Sequence, residues 1–301
     1  MTVGEIVGEY LSRYHGTGHT KRARRNDCDH FLTAWAAESV QVLTATEIAR
    51  WRDARLKLEA PATVARRMDT LRQVLDLAQS LNKGIHNFAR SVAMPHVQYD
   101  SPEWFTAADA ALLRENALLG SNTFKRLRSA LVLELGLSQG MRTSEIRALT
   151  LSQLDLDGRK ISKAWGKGNK FWALPMHSRV AALLEDYLPL RKLQIQKVEN
   201  GRGFDNERYP VIVSTRGAVA GRPVSFEINQ KTILRIVRDI AEAAGISGAY
   251  THRLRHTFIK RVCDAKGLMK AAELGRHSDP RQTMRYAKSS FDELREDIEG
   301  I

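Results

Sequence analysis

Apolar residues recur at helical spacing along most of this chain, and that period limits the fold to a mainly helical one. Four such segments occupy the first hundred residues and begin at Thr2, Asn26, Thr44 and Pro61. The fourth carries a continuous apolar stripe from Val64 to Leu81 and is followed by the helix breaker Gly84. Four amphipathic helices can bury their apolar faces against one another, so these residues predict a small all-helical domain.

One later segment departs from the helical period. Residues 158–176, "GRKISKAWGKGNKFWALPM", alternate around a Gly-Lys-Gly-Asn turn and predict a β-hairpin. On either side the period is helical, including residues 142–155, while "RYPVIVST" (208–215) predicts a short strand or extended piece. The fold class predicted is therefore mostly α with a small β-sheet.

A segment without periodicity divides the chain. Residues 91–103 contain two prolines and no apolar stripe, which predicts a linker at 94–104 between domains at 1–93 and 105–301. The net charge is +13 and the pI about 9.9, which favours a polyanionic partner such as DNA or RNA. The net charge is +3 over residues 1–100 and +10 over the rest. A basic protein without such a partner remains the alternative on charge alone.

Cysteine usage and hydropathy exclude several classes of protein. Cys28 and Cys263 lie far apart without a CxxC pair, which argues against a disulfide scaffold or a structural zinc site and fits a reducing cytoplasm. The first residues do not resemble a signal peptide, and the chain lacks an 18-residue apolar run that would span a membrane.

Residues 251–262, "THRLRHTFIKRV", combine guanidinium and imidazole groups on one helix. Thr251 is a suitable cap, and His252, Arg255 and His256 then share one face. A guanidinium matches two phosphate oxygens, and an imidazole donates to the same oxygens or transfers a proton. Taken alone, these three residues fit an ordinary surface helix with a satisfied histidine better than a phosphate site.

Three further segments carry groups suited to a phosphodiester. Arg142 follows Gly140 and opens a helix in which Glu145 lies within reach of its guanidinium, although an ordinary Arg–Glu helix pair gives the same pattern. Lys167 lies at the predicted hairpin tip, where a lysine is usually only solvated. Near the end, Tyr286 follows His277 by nine residues among basic side chains, on a short helix predicted after Asp279.

The order of these groups along the chain resembles the tyrosine recombinase family, the phage integrases and Xer-like enzymes. The resemblance implies an all-helical, SAM-like core-binding domain followed by a mixed α/β catalytic domain. It implies a catalytic set with Tyr286 as nucleophile, two arginine phosphate clamps and a lysine general acid: Arg142, Lys167, His252, Arg255, His277 and Tyr286. Supporting roles fall on Glu145, His256 and Lys170, the last as a competitor of Lys167.

The sequence departs from the family pattern at two positions. The family usually reads Leu-Gly-His, whereas this chain reads "LGRH", so Arg276 takes the place of the glycine unless a gap is opened. Trp172 stands where relatives commonly carry a basic residue.

The resemblance implies a site-specific recombinase that acts through a 3′-phosphotyrosine and a Holliday junction, without metal or cofactor. Its implied partner is double-stranded DNA with paired inverted half-sites, bound by a homotetramer that the helix after Tyr286 helps to hold, with accessory DNA-bending proteins in some systems. The expected location is a bacterial cytoplasm, in a chain encoded by a bacterium, phage or mobile element. The basic residues expected to contact DNA are Lys21, Arg22, Arg24, Arg25, Arg276 and Arg281. The alternatives are a non-catalytic DNA-binding protein of the same fold and a type IB topoisomerase.

Overall fold

The fold is described from a computed structural model, which divides the chain into two compact units, Met1–Asp100 and Ser101–Ile301. It describes residues 1–16, 18–98, 102–165, 171–199, 209–214, 226–277, 279, 281–286, 295, 298 and 299. The linker predicted at 94–104 spans the division between the units and stays a prediction in its exact bounds.

The first unit contains the four predicted helices: α1 Val3–Arg13, α2 Gly18–Trp35, α3 Ala45–Leu56 and α4 Pro61–Leu81. Thr2 caps α1 with a reciprocal bond to Glu5, and Pro61 occupies the first position of α4, where it breaks no helical hydrogen bond. Most of the apolar stripe of α4 is buried against α1, α2 and α3 in one core, but Leu81 at its end is 49% exposed. The second helix begins earlier than its apolar pattern indicated, so the basic run from Lys21 to Arg25 is helical.

The helices of the second unit pack around a main core, beside which Ile259, Ala271 and Tyr286 form a smaller apolar cluster. Seven helices of this unit are described: α5 Ala107–Ala117, α6 Thr123–Leu137, α7 Thr143–Ala148, α8 Ser178–Glu199, α9 Gln230–Ala243, α10 Thr251–Gly275 and α11 Arg281–Met284. The central helix α6 is buried along most of its length and contacts α5, α8, α9 and α10. The left-handed Gly267 interrupts α10. In the described part of the chain, every helix is too short or too polar to cross a membrane.

A three-stranded antiparallel sheet in the order β1-β2-β3 contains the predicted hairpin, with β1 at Leu154–Asp155, β2 at Lys160–Trp165 and β3 at Phe171–Pro175. The helix predicted over 142–155 is wrong in its second half, because it ends at Ala148 and the chain then turns into β1. Of the short strand or extended piece predicted at 208–215, residues 209–214 are described, and they make isolated bridges from Pro210 to Thr150 and from Val213 to Glu227.

Candidate active site

The second unit brings together five of the six residues assigned to catalysis. Arg142 precedes α7, the next two lie in the first turns of α10, and the last two follow α10 and α11: Arg142, His252, Arg255, His277 and Tyr286. The sixth residue, Lys167, and its competitor Lys170 lie outside the described residues, so their assignment stays a prediction.

Glu145 accepts two hydrogen bonds from Arg142. Its carboxylate accepts from the backbone N–H of Arg142 at 2.7 Å and from Nη1 of the same residue at 2.9 Å. The side chain of Glu145 is 3% exposed. Burial alone would raise its pKa, but Arg276 and Arg142 outweigh burial and hold the pKa below its ordinary value. The carboxylate is therefore ionised at neutral pH and holds the Arg142 side chain in one orientation.

Arg255 is the most deeply buried cation of the cluster, at 1% exposure. Its guanidinium donates to the carbonyls of Gly140 and Gly275, which occupy two of its five N–H groups. Burial, with the nearby charges of Arg142 and Arg276, lowers its pKa to about 9. Among the described residues, Glu145 thus pairs directly with Arg142 and Arg276 and also attracts Arg255, and an anion placed among the three guanidinium groups would relieve their mutual repulsion.

The hydroxyl of Tyr286 is hydrogen-bonded to Nδ1 of His256, and the tyrosine is 4% exposed. Burial raises the pKa of Tyr286 to about 12, although Arg255 and Arg285 act in the opposite direction. Burial, and then the neighbouring His252, lowers the pKa of His256 to about 3. The imidazole is therefore neutral, and in the tautomer protonated at Nε2 its Nδ1 accepts a hydrogen bond from the phenol.

The other two histidines lie farther from the phenol. The ring centroid of His252 is 4.9 Å from that of His256 and edge-on to it. The ring of His277 is 6.5 Å from that of Tyr286, and its Nδ1 is 2.6 Å from the hydroxyl of the buried Thr283. Burial, with Arg255 as the next cause, lowers the pKa of both, that of His277 to about 4.

His256 was expected to have only a supporting role, whereas its ring lies directly against Tyr286. The two residues are 30 positions apart, and only the return of the chain after α10 brings them together. The short helix predicted to carry the tyrosine ends at Met284, so Tyr286 lies just beyond it.

Arg276, expected as a DNA contact, lies inside the cluster, with a side chain 8% exposed. It donates to Oε2 of Glu145 at 2.8 Å and to the carbonyl of Gly140 at 3.0 Å. The guanidinium also lies over the ring of Trp172, 4.2 Å from its centroid. The two positions at which the sequence departs from the family pattern are thus in contact with each other.

The basic run of the first unit is mostly exposed. Lys21, Arg22 and Arg25 are exposed on α2 and border a surface pocket of about 230 Å³. Arg24 is partly buried and bonded to Thr70. The side chain of Arg281, at the start of α11, lies outside the described residues.

Sequence comparison with known proteins identifies one family. The sequence profile described as the phage integrase family matches residues 111–293. Tyrosine recombinase XerC of Thermodesulfovibrio yellowstonii is 30% identical over 259 residues, which cover 86% of this chain and 79% of that protein.

Two solved structures share the fold at low sequence identity. One is the XerH site-specific recombinase bound to palindromic difH substrate in a post-cleavage complex, with a TM-score of 0.74 and 15% identity over 93% of this chain and 79% of that one. The other is a lambda integrase tetramer bound to a Holliday junction, with a TM-score of 0.70 and 16% identity over 97% of this chain and 80% of that one. The chain therefore belongs to the phage integrase family and is a site-specific DNA recombinase of the tyrosine type.

Proposed function

We propose that this recombinase cuts and rejoins DNA through a covalent 3′-phosphotyrosine at Tyr286 and exchanges strands through a Holliday junction. The observation that carries the proposal is the hydrogen bond between Tyr286 and neutral His256, beside Arg142 and Arg255. A phenol is a poor nucleophile at neutral pH unless a proton acceptor and positive charge lie close to it.

The arginines bind the scissile phosphate. Arg142 and Arg255 donate to its non-bridging oxygens, which carry more negative charge in the pentacovalent transition state than in the ground state. Glu145 and the carbonyls of Gly140 and Gly275 already hold these side chains, so the donors need little reorganisation when charge develops. Removing one such clamp is expected to raise the barrier by about 3–4 kcal/mol.

Different residues accept the proton of the phenol and protonate the 5′-oxygen that leaves. The Tyr286 oxygen forms a bond to phosphorus as His256 takes the phenol's proton, and the bond from phosphorus to the 5′-oxygen breaks. Lys167 supplies a proton to the departing 5′-oxygen, while His252 and His277 hydrogen-bond to the phosphate. The phosphotyrosine keeps the bond energy, so a 5′-hydroxyl of a second strand reverses the chemistry without metal or nucleotide.

Strand exchange requires several protomers on DNA. The relatives bound to palindromic DNA and to a Holliday junction support paired inverted half-sites and a tetramer for this chain. We assign backbone contacts to the exposed Lys21, Arg22 and Arg25 of the first unit. Docking of the segment after Tyr286 on a neighbouring protomer, accessory DNA-bending proteins and a place at the bacterial nucleoid belong to the same proposal. Most of that segment lies outside the described residues.

The proposal is tested by trapping the covalent adduct. Labelled duplexes tiled from the DNA flanking this protein's own gene are nicked next to each candidate cleavage position, so that cleavage releases a short strand and cannot reverse. The wild type is expected to give an adduct that survives a denaturing gel, and Tyr286→Phe to bind the same duplex without forming one. Specific, salt-sensitive binding of the wild type without any adduct would instead support a non-catalytic DNA-binding protein.

A second assay separates strand exchange from topoisomerase activity. A supercoiled plasmid with two copies of the identified site is expected to give junctions and recombinant products. Relaxation of a plasmid that lacks the site, without exchange, would identify a type IB topoisomerase.

A further inference from the structure

Arg276 has an unusual backbone for a long side chain. It follows Gly275, the last residue of α10, in the left-handed conformation with φ 53° and ψ 45°. A residue with a Cβ loses about 1–2 kcal/mol in this region relative to a right-handed conformation, and glycine does not. The chain nevertheless places an arginine here and a glycine immediately before it. The interactions of the Arg276 side chain must therefore offset this backbone cost.

The turn at Arg276 places two backbone carbonyls against the site arginines. The carbonyl of Gly275 accepts from Nη2 of Arg255. The carbonyl of Arg276 itself accepts from Nη2 of Arg142 at 3.4 Å. The orientation of both guanidinium groups thus depends on the conformation of this one turn.

The side chain of Arg276 connects the same groups from the other side. It bonds to Glu145, which holds Arg142, and to the carbonyl of Gly140, which also accepts from Arg255. The ring of Trp172 on β3 covers its guanidinium and so restricts the directions in which the side chain can move.

We propose that Arg276, held by Trp172, is a positioning residue that sets the orientation of both Arg142 and Arg255. This inference rests on the proposed function of those two arginines. The alternative, in which Arg276 binds the phosphate directly, is less compatible with its bonds. Nη1 donates to the carbonyl of Leu274 at 3.2 Å, and Nη2 is already shared between Gly140 and Glu145.

The test compares three variants of the full chain on the nicked duplex that gives an adduct with the wild type. Arg276→Gly removes the side chain and fits the left-handed backbone. It is expected to keep the DNA affinity within about twofold and to slow adduct formation at saturating DNA by about 100-fold. Arg159→Gly is the matched control, because Arg159 is also left-handed, with φ 45°, but is exposed beside the sheet. It is expected to form adduct at the wild-type rate.

Arg276→Lys keeps a charge near Glu145 but cannot bond Glu145 and Gly140 as a rigid fork. It serves as the second variant should Arg276→Gly fail to fold, which a melting curve would reveal. The expected loss in rate is about tenfold. Wild-type rates for Arg276→Lys and for folded Arg276→Gly would overturn the proposal, and so would an equal loss in Arg159→Gly.

A pH profile separates positioning from a merely structural role. The charged and titratable groups that act on Glu145 are Arg142, which precedes α7, Arg255 and His252 on α10, and Arg276. Burial raises the pKa of this carboxyl, and Arg276 is the foremost cation that lowers it. Without Arg276 the pKa of Glu145 rises. The pH below which the rate of adduct formation falls should therefore be higher in Arg276→Gly than in the wild type, and much less changed in Arg276→Lys. An unchanged acidic side of the pH–rate profile in Arg276→Gly would contradict the proposal.

Failure of this inference is distinguishable from failure of the proposed function. If the wild type forms no adduct on a duplex that it binds specifically, the covalent mechanism is wrong and this inference falls with it. If the wild type forms the adduct and both Arg276 variants match it, the mechanism stands and only the positioning role is wrong.

Discussion

Among the glycines that the structure describes, Gly140 combines a positive φ with the closest contact for an added Cβ. It lies between α6 and α7 with a φ of +60°, and its carbonyl accepts hydrogen bonds from both Arg255 and Arg276. A Cβ added there would lie 2.6 Å from Cε1 of Phe258 and closer still to another atom of the same ring. Both the backbone and the space around Gly140 therefore exclude a side chain.

The cost of Gly140→Ala has two parts. Alanine in the left-handed region costs about 1–2 kcal/mol, and forcing a methyl group against a packed ring costs about 1–3 kcal/mol. We therefore expect the free energy of unfolding to fall by about 2–5 kcal/mol. Gly245→Ala is the matched control, because Gly245 has a φ of +70° and an added Cβ would meet nothing within 4 Å. It should lose only the backbone part, about 1–2 kcal/mol.

Urea unfolding of the full chain, followed by circular dichroism, measures both variants against the wild type. The double variant Gly140→Ala with Phe258→Ala tests the steric part, since removing the ring should make the alanine at position 140 less costly than it is alone. Equal losses for Gly140→Ala and Gly245→Ala would refute the argument, because the contact with Phe258 would then contribute nothing.

The remaining predictions concern charge, protonation and DNA contact. Glu145→Gln should destabilise the protein by about 3–5 kcal/mol, because the buried Arg276 and the partly buried Arg142 lose their carboxylate. Exposed Glu273→Gln should change stability by less than about 0.5 kcal/mol. The pKa of Glu145 lies below its ordinary value of 4.5, so its ionised form stabilises the fold fully above that pH, and the difference between wild type and Glu145→Gln in urea should shrink as the pH falls below it. Since the pKa of His256 is about 3, the rate of adduct formation at subsaturating protein should show no titration of this residue between about pH 5 and 8. An inflection of the rate near pH ~6.5 that His256→Ala abolishes would show instead that His256 is charged at low pH in this range. Arg22→Ala and Arg25→Ala should each reduce the slope of log affinity against log salt by about 0.9, and an unchanged slope would remove that residue from the DNA interface.

Much of the fold could be predicted from the sequence, because local patterns determine it. The four helices of the first unit follow from apolar spacing and from caps such as Thr2. The pairing of β2 with β3 follows from the alternating residues on either side of Gly-Lys-Gly-Asn, which itself lies outside the described residues. The end of α7 was missed because leucines continue beyond it and resemble a further helical turn. Leu149 has nevertheless already left the helix. That exit is stabilised by tertiary contacts, among them the hydrogen bond from Val211 to the carbonyl of Leu149.

The candidate site was predictable where its partners are close in sequence. Arg142 and Glu145 are three residues apart, and their hydrogen bond was expected from helix geometry. The contacts of His256 with Tyr286, and of Arg276 with Trp172, join segments 30 and 104 residues apart in the numbering. Local pattern contains no information about such pairs, so an arginine inside the site was read from sequence as one more basic residue for DNA.

The covalent bond proposed between Tyr286 and a DNA 3′-phosphate can be located by mass spectrometry. The adduct is isolated from a nicked duplex, and its protein and DNA are digested. We expect one modified peptide, with the nucleotide on Tyr286 through its 3′-phosphate, and a free 5′-hydroxyl on the released strand. A nucleotide attached to another residue, or a 5′-phosphate on the protein, would contradict it.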